Sequence, residues 1–252
     1  MTCRGVLVLV APILGGLVSV VFIRALGFKK FTGGEVLLGL VVFVISLIVQ
    51  QPIQQLPILV NALPAILSNP AAAQTIIGEF LASLDTAFKA LVALWLGFVA
   101  GLVQTAFKYV FTKGKRYVDA LNIGLGFGVT EALYVGVSGF IYSALIAGVT
   151  NARGVPTYLY ALSVAERFSA SLFHVGSTLF LVHAAKSGIS RVGVAVVVVV
   201  HGSIDTLAAL TQLTGSPILL AATEALTLAV GLVLVLKLYK GAIQEPEERP
   251  IW

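Results

Sequence analysis

Long apolar runs recur along this chain, separated by short polar segments. A bilayer-spanning helix needs about 20 mostly apolar residues. Seven stretches read as such spans: 5–26, one opening near Glu35 and running through Val49, 85–111, 117–147, 157–185, 190–213 and 217–239. A polar tail, 241–252, follows. The first run is longer than the roughly 7–15-residue core of a cleaved signal peptide and ends in Arg24, Lys29 and Lys30, so it reads as a retained span. No composition shift divides the chain. The expectation is an all-α, polytopic membrane protein of seven transmembrane helices in a single domain, 1–252.

The second run breaks its pattern. Four glutamines and two prolines fall between Gln50 and Pro57, and Pro64 follows. Proline removes a backbone donor and kinks a helix. The segment reads as a helix end at the outer interface, followed by a re-entrant or surface helix through Leu67. A polar kink lining a cavity is the other reading.

Composition sharpens the class. Hydrophobic residues make up 58% of the chain and charged residues only 11%. A soluble domain carries about 25% charged residues. Mean hydropathy is +1.02. This excludes a water-soluble enzyme and a disordered chain. The net charge of +5 forms no basic stripe, so no nucleic-acid partner is expected. Cys3 is the one cysteine, which excludes a disulfide framework and a Cys-based zinc site.

The basic residues cluster by loop. Arg24, Lys29 and Lys30 follow the first span. Lys113, Lys115 and Arg116 follow the third, with Lys108 just inside it. Lys186 and Arg191 follow the fifth, and Lys237, Lys240 and Arg249 end the chain. Twelve of the sixteen Lys and Arg thus fall on one side, against Arg4, Lys89 and Arg153 on the other. The positive-inside rule then places the N-terminus outside and the C-terminus in the cytoplasm. The plasma membrane of a prokaryote is the expected location.

Few ionisable residues lie inside the spans: Lys108, Glu131, Glu166, Arg167, His174, His201, Asp205 and Glu224. Each is costly in hydrocarbon and marks a candidate site. At ~1.5 Å per residue, Glu131, His174, His201 and Asp205 lie about 21, 18, 17 and 23 Å from the basic side. They share one layer near the midplane. His201 and Asp205 are i and i+4, on one helix face. Arg167 and His174 fall within about 20° on a helical wheel, and Ser171 and Thr178 extend the stripe. His183 points to the opposite face and reads as interfacial. Gly124, Gly128, Ala132 and Gly136 recur every four residues, so a neighbouring helix can approach closely beside Glu131. Gly97 and Gly101 do the same on the third span.

A carboxylate with two histidines and an Asp can hold a divalent metal such as zinc. It can also activate water directly, with a Glu as general base and the histidines stabilising an oxyanion. A purely structural network between helices is the third possibility.

Four blocks then stand out in order: 100–109 with Gln104, Thr105 and Lys108; Gly124-Leu125-Gly126-Phe127-Gly128 leading to Glu131; Glu166-Arg167 leading to His174; and His201 with Asp205. This order resembles the YhfC family of intramembrane metalloproteases, in the CAAX-protease and bacteriocin-processing clan. The likeness covers about half the chain, within 95–213. It implies glutamate- or metal-dependent peptide hydrolysis within the bilayer. Glu131, His174, His201 and Asp205 would be the catalytic set, with Glu131 as general base and His174, His201 and Asp205 binding a metal or the oxyanion, supported by Glu166 and Arg167. The substrate would be a membrane-embedded or membrane-proximal peptide. Two positions depart from the family. Gln104-Thr105 stands where a Glu-Glu pair is usual, and Phe127 where a histidine is usual. The missing carboxylates leave the base to Glu131 or Glu166, or leave a degenerate member without activity. The chain also looks like the anterior-pharynx-defective scaffold subunit of gamma-secretase, in the same clan. That likeness implies a non-catalytic subunit that assembles with a partner membrane protein. A small-molecule transporter or receptor is a lesser alternative.

Overall fold

The structure is a computed structural model, and it describes residues 3–145 and 156–245. Arg153, Arg249, residues 146–147 of the fourth stretch and 246–252 of the polar tail lie outside the described residues. So do the side chains of Cys3 and Arg4. The described residues form eight α-helices: α1 (Cys3–Ala25), α2 (Gly33–Ser68), α3 (Ala73–Ser83), α4 (Thr86–Thr112), α5 (Tyr117–Leu145), α6 (Thr157–Lys186), α7 (Ser190–Thr214) and α8 (Pro217–Gln244). A 3-10 turn, Pro70–Ala72, precedes α3. All but α3 are long and apolar enough to cross a membrane. The protein is an integral, multi-pass membrane protein. Exposed side chains such as Leu17, Val21 and Ile48 are what lipid contact requires, because apolar surface there meets apolar chains.

Helix ends follow their glycines. Gly27 and Gly188 adopt φ of 96° and 75°, a conformation that side chains with a Cβ rarely tolerate. Behind them, Phe28 N–H donates to Ile23 O at 3.4 Å and Ile189 N–H to Ala184 O at 2.9 Å. These bonds take up carbonyls left over at the ends of α1 and α6. The last helix overruns its predicted end: α8 continues through Gln244, so 241–244 are helical. Glu245 then anchors it. Its carboxylate accepts from Lys186 Nζ and from Val118 N–H, each at 3.0 Å.

The chain divides into two compact units. The first comprises 1–43, 108–193 and 227–252. Here α1, α5 and α6 pack on one another, over a core that includes Ile23, Leu121, Leu172, Leu179 and Val235. The predicted glycine stripe on α5 serves two neighbours rather than one. A methyl group at Gly124 would lie 2.8 Å from Val175 Cα, and one at Gly128 would lie 2.7 Å from Ser171 Cα, both on α6. One at Gly136 would lie 2.6 Å from Leu9 O on α1, and Ala132 already abuts Gly16 of α1. Steps of four residues advance about 400° around a helix, so the stripe drifts about 40° each time and turns from one partner to the next. Gly124→Leu should therefore destabilise the protein by about 1–3 kcal/mol, because the obstacle is α6 backbone that cannot rotate away. Thermal unfolding in detergent measures this.

The second unit comprises 44–107 and 194–226. It corrects the reading of the second span. No helix end or re-entrant turn occurs at the glutamines; α2 is one continuous helix with Pro52, Pro57 and Pro64 inside it. At Pro57 a side chain replaces what proline removes. Pro57 deprives Ile53 O of its helical donor, and the Trp95 indole of α4 donates to that carbonyl at 3.1 Å. Gln54 Nε2 donates to Leu96 O at 2.7 Å. Gln50 is buried, and the polar run forms an amide ladder to α4 rather than an interfacial cap. Trp95→Phe should lower stability by about 0.5–1.5 kcal/mol, the scale of one interhelical hydrogen bond. A melting temperature equal to wild type would show that Ile53 O needs no donor. Between α4 and α7, Gly101 meets Gly202 so closely that a methyl group would lie 2.8 Å from Gly202 Cα.

Candidate functional site

The first unit gathers charge on its buried faces. Glu131 projects from α5 one turn beyond Gly128, on the part of the helix that lies against α6 and α1. On α6, Arg167 and His174 share a face as their seven-residue spacing predicts, and both reach Glu131. Glu131 Oε2 lies 2.6 Å from His174 Nε2, and Oε1 lies 3.8 Å from Arg167 Nη1. Arg167 also pairs with Glu166. The Glu131 side chain is 21% exposed and that of Glu166 38%. Arg167 therefore bridges both carboxylates.

Lys108 completes the cluster. The sequence reading places it among the ionisable residues inside the spans but outside the candidate catalytic set. It is fully buried, at 0% exposure. Its Nζ lies 3.3 Å from His174 Nδ1 and donates to Ser177 Oγ at 2.9 Å. Phe127 and Phe173 face the ammonium at 5.2 and 5.6 Å from their ring centres. That is within the range of cation–π attraction. Phe127 also packs on the His174 ring at 4.6 Å and meets Phe43 edge-on at 5.2 Å. The Phe127 ring thus walls the cluster. The signal for Lys108 was present, since it was an ionisable group inside a span. It was lost because a lysine near a basic loop also satisfies the topology rule.

An ammonium has three donors and no acceptor. With Lys108 on Nδ1, that nitrogen accepts, so the His174 proton sits on Nε2 and is donated to Glu131. The histidine thus aims and holds the carboxylate. Thr178 Oγ1 donates to His174 O at 2.7 Å, and Ser177 is wholly buried beside it.

His201 and Asp205 belong to the second unit. They pair with each other as their i,i+4 spacing predicts, His201 Nε2 to Asp205 Oδ2 at 3.4 Å. Gln104 and Thr105 lie there too. Gln104 Nε2 donates to Gln50 Oε1 at 3.0 Å. Thr105 is buried, and its hydroxyl has no hydrogen-bond partner among the described residues. His183 lies apart from the charged cluster, with Nδ1 2.8 Å from the Tyr117 hydroxyl.

Among the described residues, no three His, Cys, Asp or Glu side chains are grouped as a metal ion requires. Within the first unit both His174 nitrogens are engaged by Lys108 and Glu131. Zinc ligation by His174 would require it to give up one of these partners. Comparison with known protein families, with characterised proteins and with solved structures found no match.

Proposed function

We propose that this protein is an intramembrane peptidase, similar in its motif order to the YhfC family, with Glu131 as general base. The observation that carries this reading is the Glu131 carboxylate. It is partly exposed, oriented by His174 Nε2–H at 2.6 Å, and flanked by the fixed positive charge of Arg167. In the reaction, Glu131 takes a proton from water as the water oxygen bonds to the scissile carbonyl carbon. Arg167 stabilises the oxyanion. The C–N bond then breaks, and the leaving amine receives the proton held by Glu131. His174 and Lys108 are positioning residues: they fix the carboxylate and do not touch the substrate. The distribution of basic residues supports an outside N-terminus and a cytoplasmic C-terminus in a prokaryotic plasma membrane.

A second reading has its own observation. The wholly buried Lys108 joins α4 to α6 through His174 and Ser177, and His174 joins α6 to α5 through Glu131. Such cross-links serve a scaffold subunit equally well. The full-length protein, reconstituted in liposomes with a set of single-span peptides, separates the two. New peptide termini found by mass spectrometry with wild type and lost with Glu131→Gln support the peptidase. No cleavage, together with a stoichiometric co-purifying membrane protein, supports the scaffold. Metal analysis of the same preparations tests the zinc-dependent form of the reaction.

A further inference from the structure

Between α2 and α4 lies a helix too short to cross a membrane. α3 (Ala73–Ser83) has 11 residues, a length of about 16 Å, against the roughly 30 Å of a bilayer's hydrocarbon. Its connections are short. Asn69 and the Pro70–Ala72 turn join it to α2, and Leu84 and Asp85 join it to α4. Leu84 is extended, with φ of −66° and ψ of 134°. The Asp85 carboxylate caps α4 by accepting from Phe88 N–H at 2.7 Å. Two residues reach at most about 7 Å. α3 is therefore held beside the point where α2 ends and α4 begins. Its sequence is two-sided. At about 100° per residue, Ile76, Ile77, Phe80 and Leu81 fall within an arc of about 140°, and Thr75, Glu79 and Ser83 lie outside it. The fold keeps this division: the four apolar residues are half-buried and the three polar ones are exposed. Lipid-facing surface continues on either side of α3 along the chain. Val60, Leu63 and Leu67 of α2 are exposed, and so are Phe88, Leu91 and Leu94 of α4. No Lys or Arg occurs between Lys30 and Lys89, while Glu79 and Asp85 are acidic.

We propose that α3 is an interfacial helix, lying along the bilayer surface with Ile76, Ile77, Phe80 and Leu81 sunk among the upper acyl chains and Thr75 and Glu79 in water. A helix of this kind rests about 5–10 Å into the boundary between headgroups and acyl chains. Its binding comes from apolar burial, because it carries no cation to attract an anionic headgroup. A zwitterionic phosphatidylcholine surface therefore suffices. Docking on the protein itself is the other way to cover the four residues. A face docked in that way would be buried, as Val92 and Ala93 of α4 are. The apolar face of α3 is only half-covered, which leaves the remainder for lipid. Because its links to α2 and α4 are so short, α3 also fixes the depth at which those two helix ends sit.

The test uses the full-length protein in phosphatidylcholine vesicles. Cys3→Ala removes the one native cysteine, and single cysteines at positions 75–83 in turn carry a nitroxide. Electron paramagnetic resonance then compares relaxation by dissolved oxygen, which concentrates in acyl chains, with relaxation by a water-soluble nickel chelate. Labels at 76, 77, 80 and 81 should favour oxygen and lie about 5–10 Å below the phosphates. Labels at 75 and 79 should favour nickel, so that the pattern repeats with the helix. Adding phosphatidylglycerol should leave the depths unchanged. Nickel access at every position overturns the proposal, because the helix then stands in water. Labels at 76, 77, 80 and 81 shielded from both reagents overturn it as well, because the face is then docked on protein. So does insertion that appears only with phosphatidylglycerol. The unsubstituted protein provides a measurement that no cysteine variant can spoil. A phosphatidylcholine with a diazirine near the glycerol end of one acyl chain should, on irradiation, label the 76–81 segment, as mapped by mass spectrometry. Labelling of α2 and α4 with none in that segment overturns the proposal.

Discussion

Glu131→Gln is expected to reduce peptide hydrolysis by about 10²–10⁴-fold, the contribution of a positioned general base. The substitution is nearly isosteric. Its amide oxygen still accepts from His174 Nε2–H, so the ring and the helix packing around Gly124 and Gly128 should be undisturbed. What disappears is the ability to take a proton from water. Glu166→Gln is the control. Glu166 is the more exposed carboxylate and contacts Arg167, not His174. Its loss should leave most of the rate. Initial rates on a cleaved peptide, with melting temperatures for both variants, check this. A Glu131→Gln enzyme as fast as wild type rejects Glu131 as the base. If Glu166→Gln is then the slow variant, the base is the other carboxylate.

Lys108→Met should be among the most destabilising single substitutions in the first unit, by about 3–5 kcal/mol. Methionine matches the lysine stem in length, so little packing is lost. The ammonium is what goes. His174 Nδ1 and Ser177 Oγ then sit buried without their donor, and Glu131 loses one of the cations that balance it. Removing one partner of a buried charged network costs more than replacing the whole network by apolar residues. The double variant Lys108→Met with Glu131→Gln should therefore be less destabilised than the sum of the two, by about 0.5–3 kcal/mol. Unfolding in detergent for the two single variants and the double variant measures the coupling. Additive losses would mean that Lys108 acts through its own packing and not through the Glu131–His174 pair. Activity follows the same line, since freeing Nδ1 lets His174 change tautomer and release its hold on Glu131.

Much of the membrane architecture was legible in the chain. Hydropathy reports which segments prefer lipid to water, a property of each segment by itself. The seven spans follow from it, and so does the sharing of a helix face by Arg167 and His174 or by His201 and Asp205. These depend only on the 3.6-residue repeat. The prolines of α2 misled for the converse reason. Proline's penalty is local, but its relief at Ile53 O came from Trp95 of α4, which meets α2 only after folding.

The same division runs through the site. Sequence alone marked Glu131, Glu166, Arg167 and His174, because a charge in hydrocarbon is expensive wherever it points. It did not decide which nitrogen of His174 meets which partner. Nor did it show that Lys108 turns inward from the end of its span, or that one glycine stripe serves two helices. Those depend on how each helix is rotated about its axis and which neighbour it meets. In lipid that choice is made by close packing and polar pairing between helices, since apolar transfer does not distinguish one helix face from another. The chain by itself determined what enters the bilayer and which few groups are charged there. Only the tertiary structure decided that Lys108, His174, Glu131 and Arg167 form one connected network, because each charge is tolerated through contacts with the others.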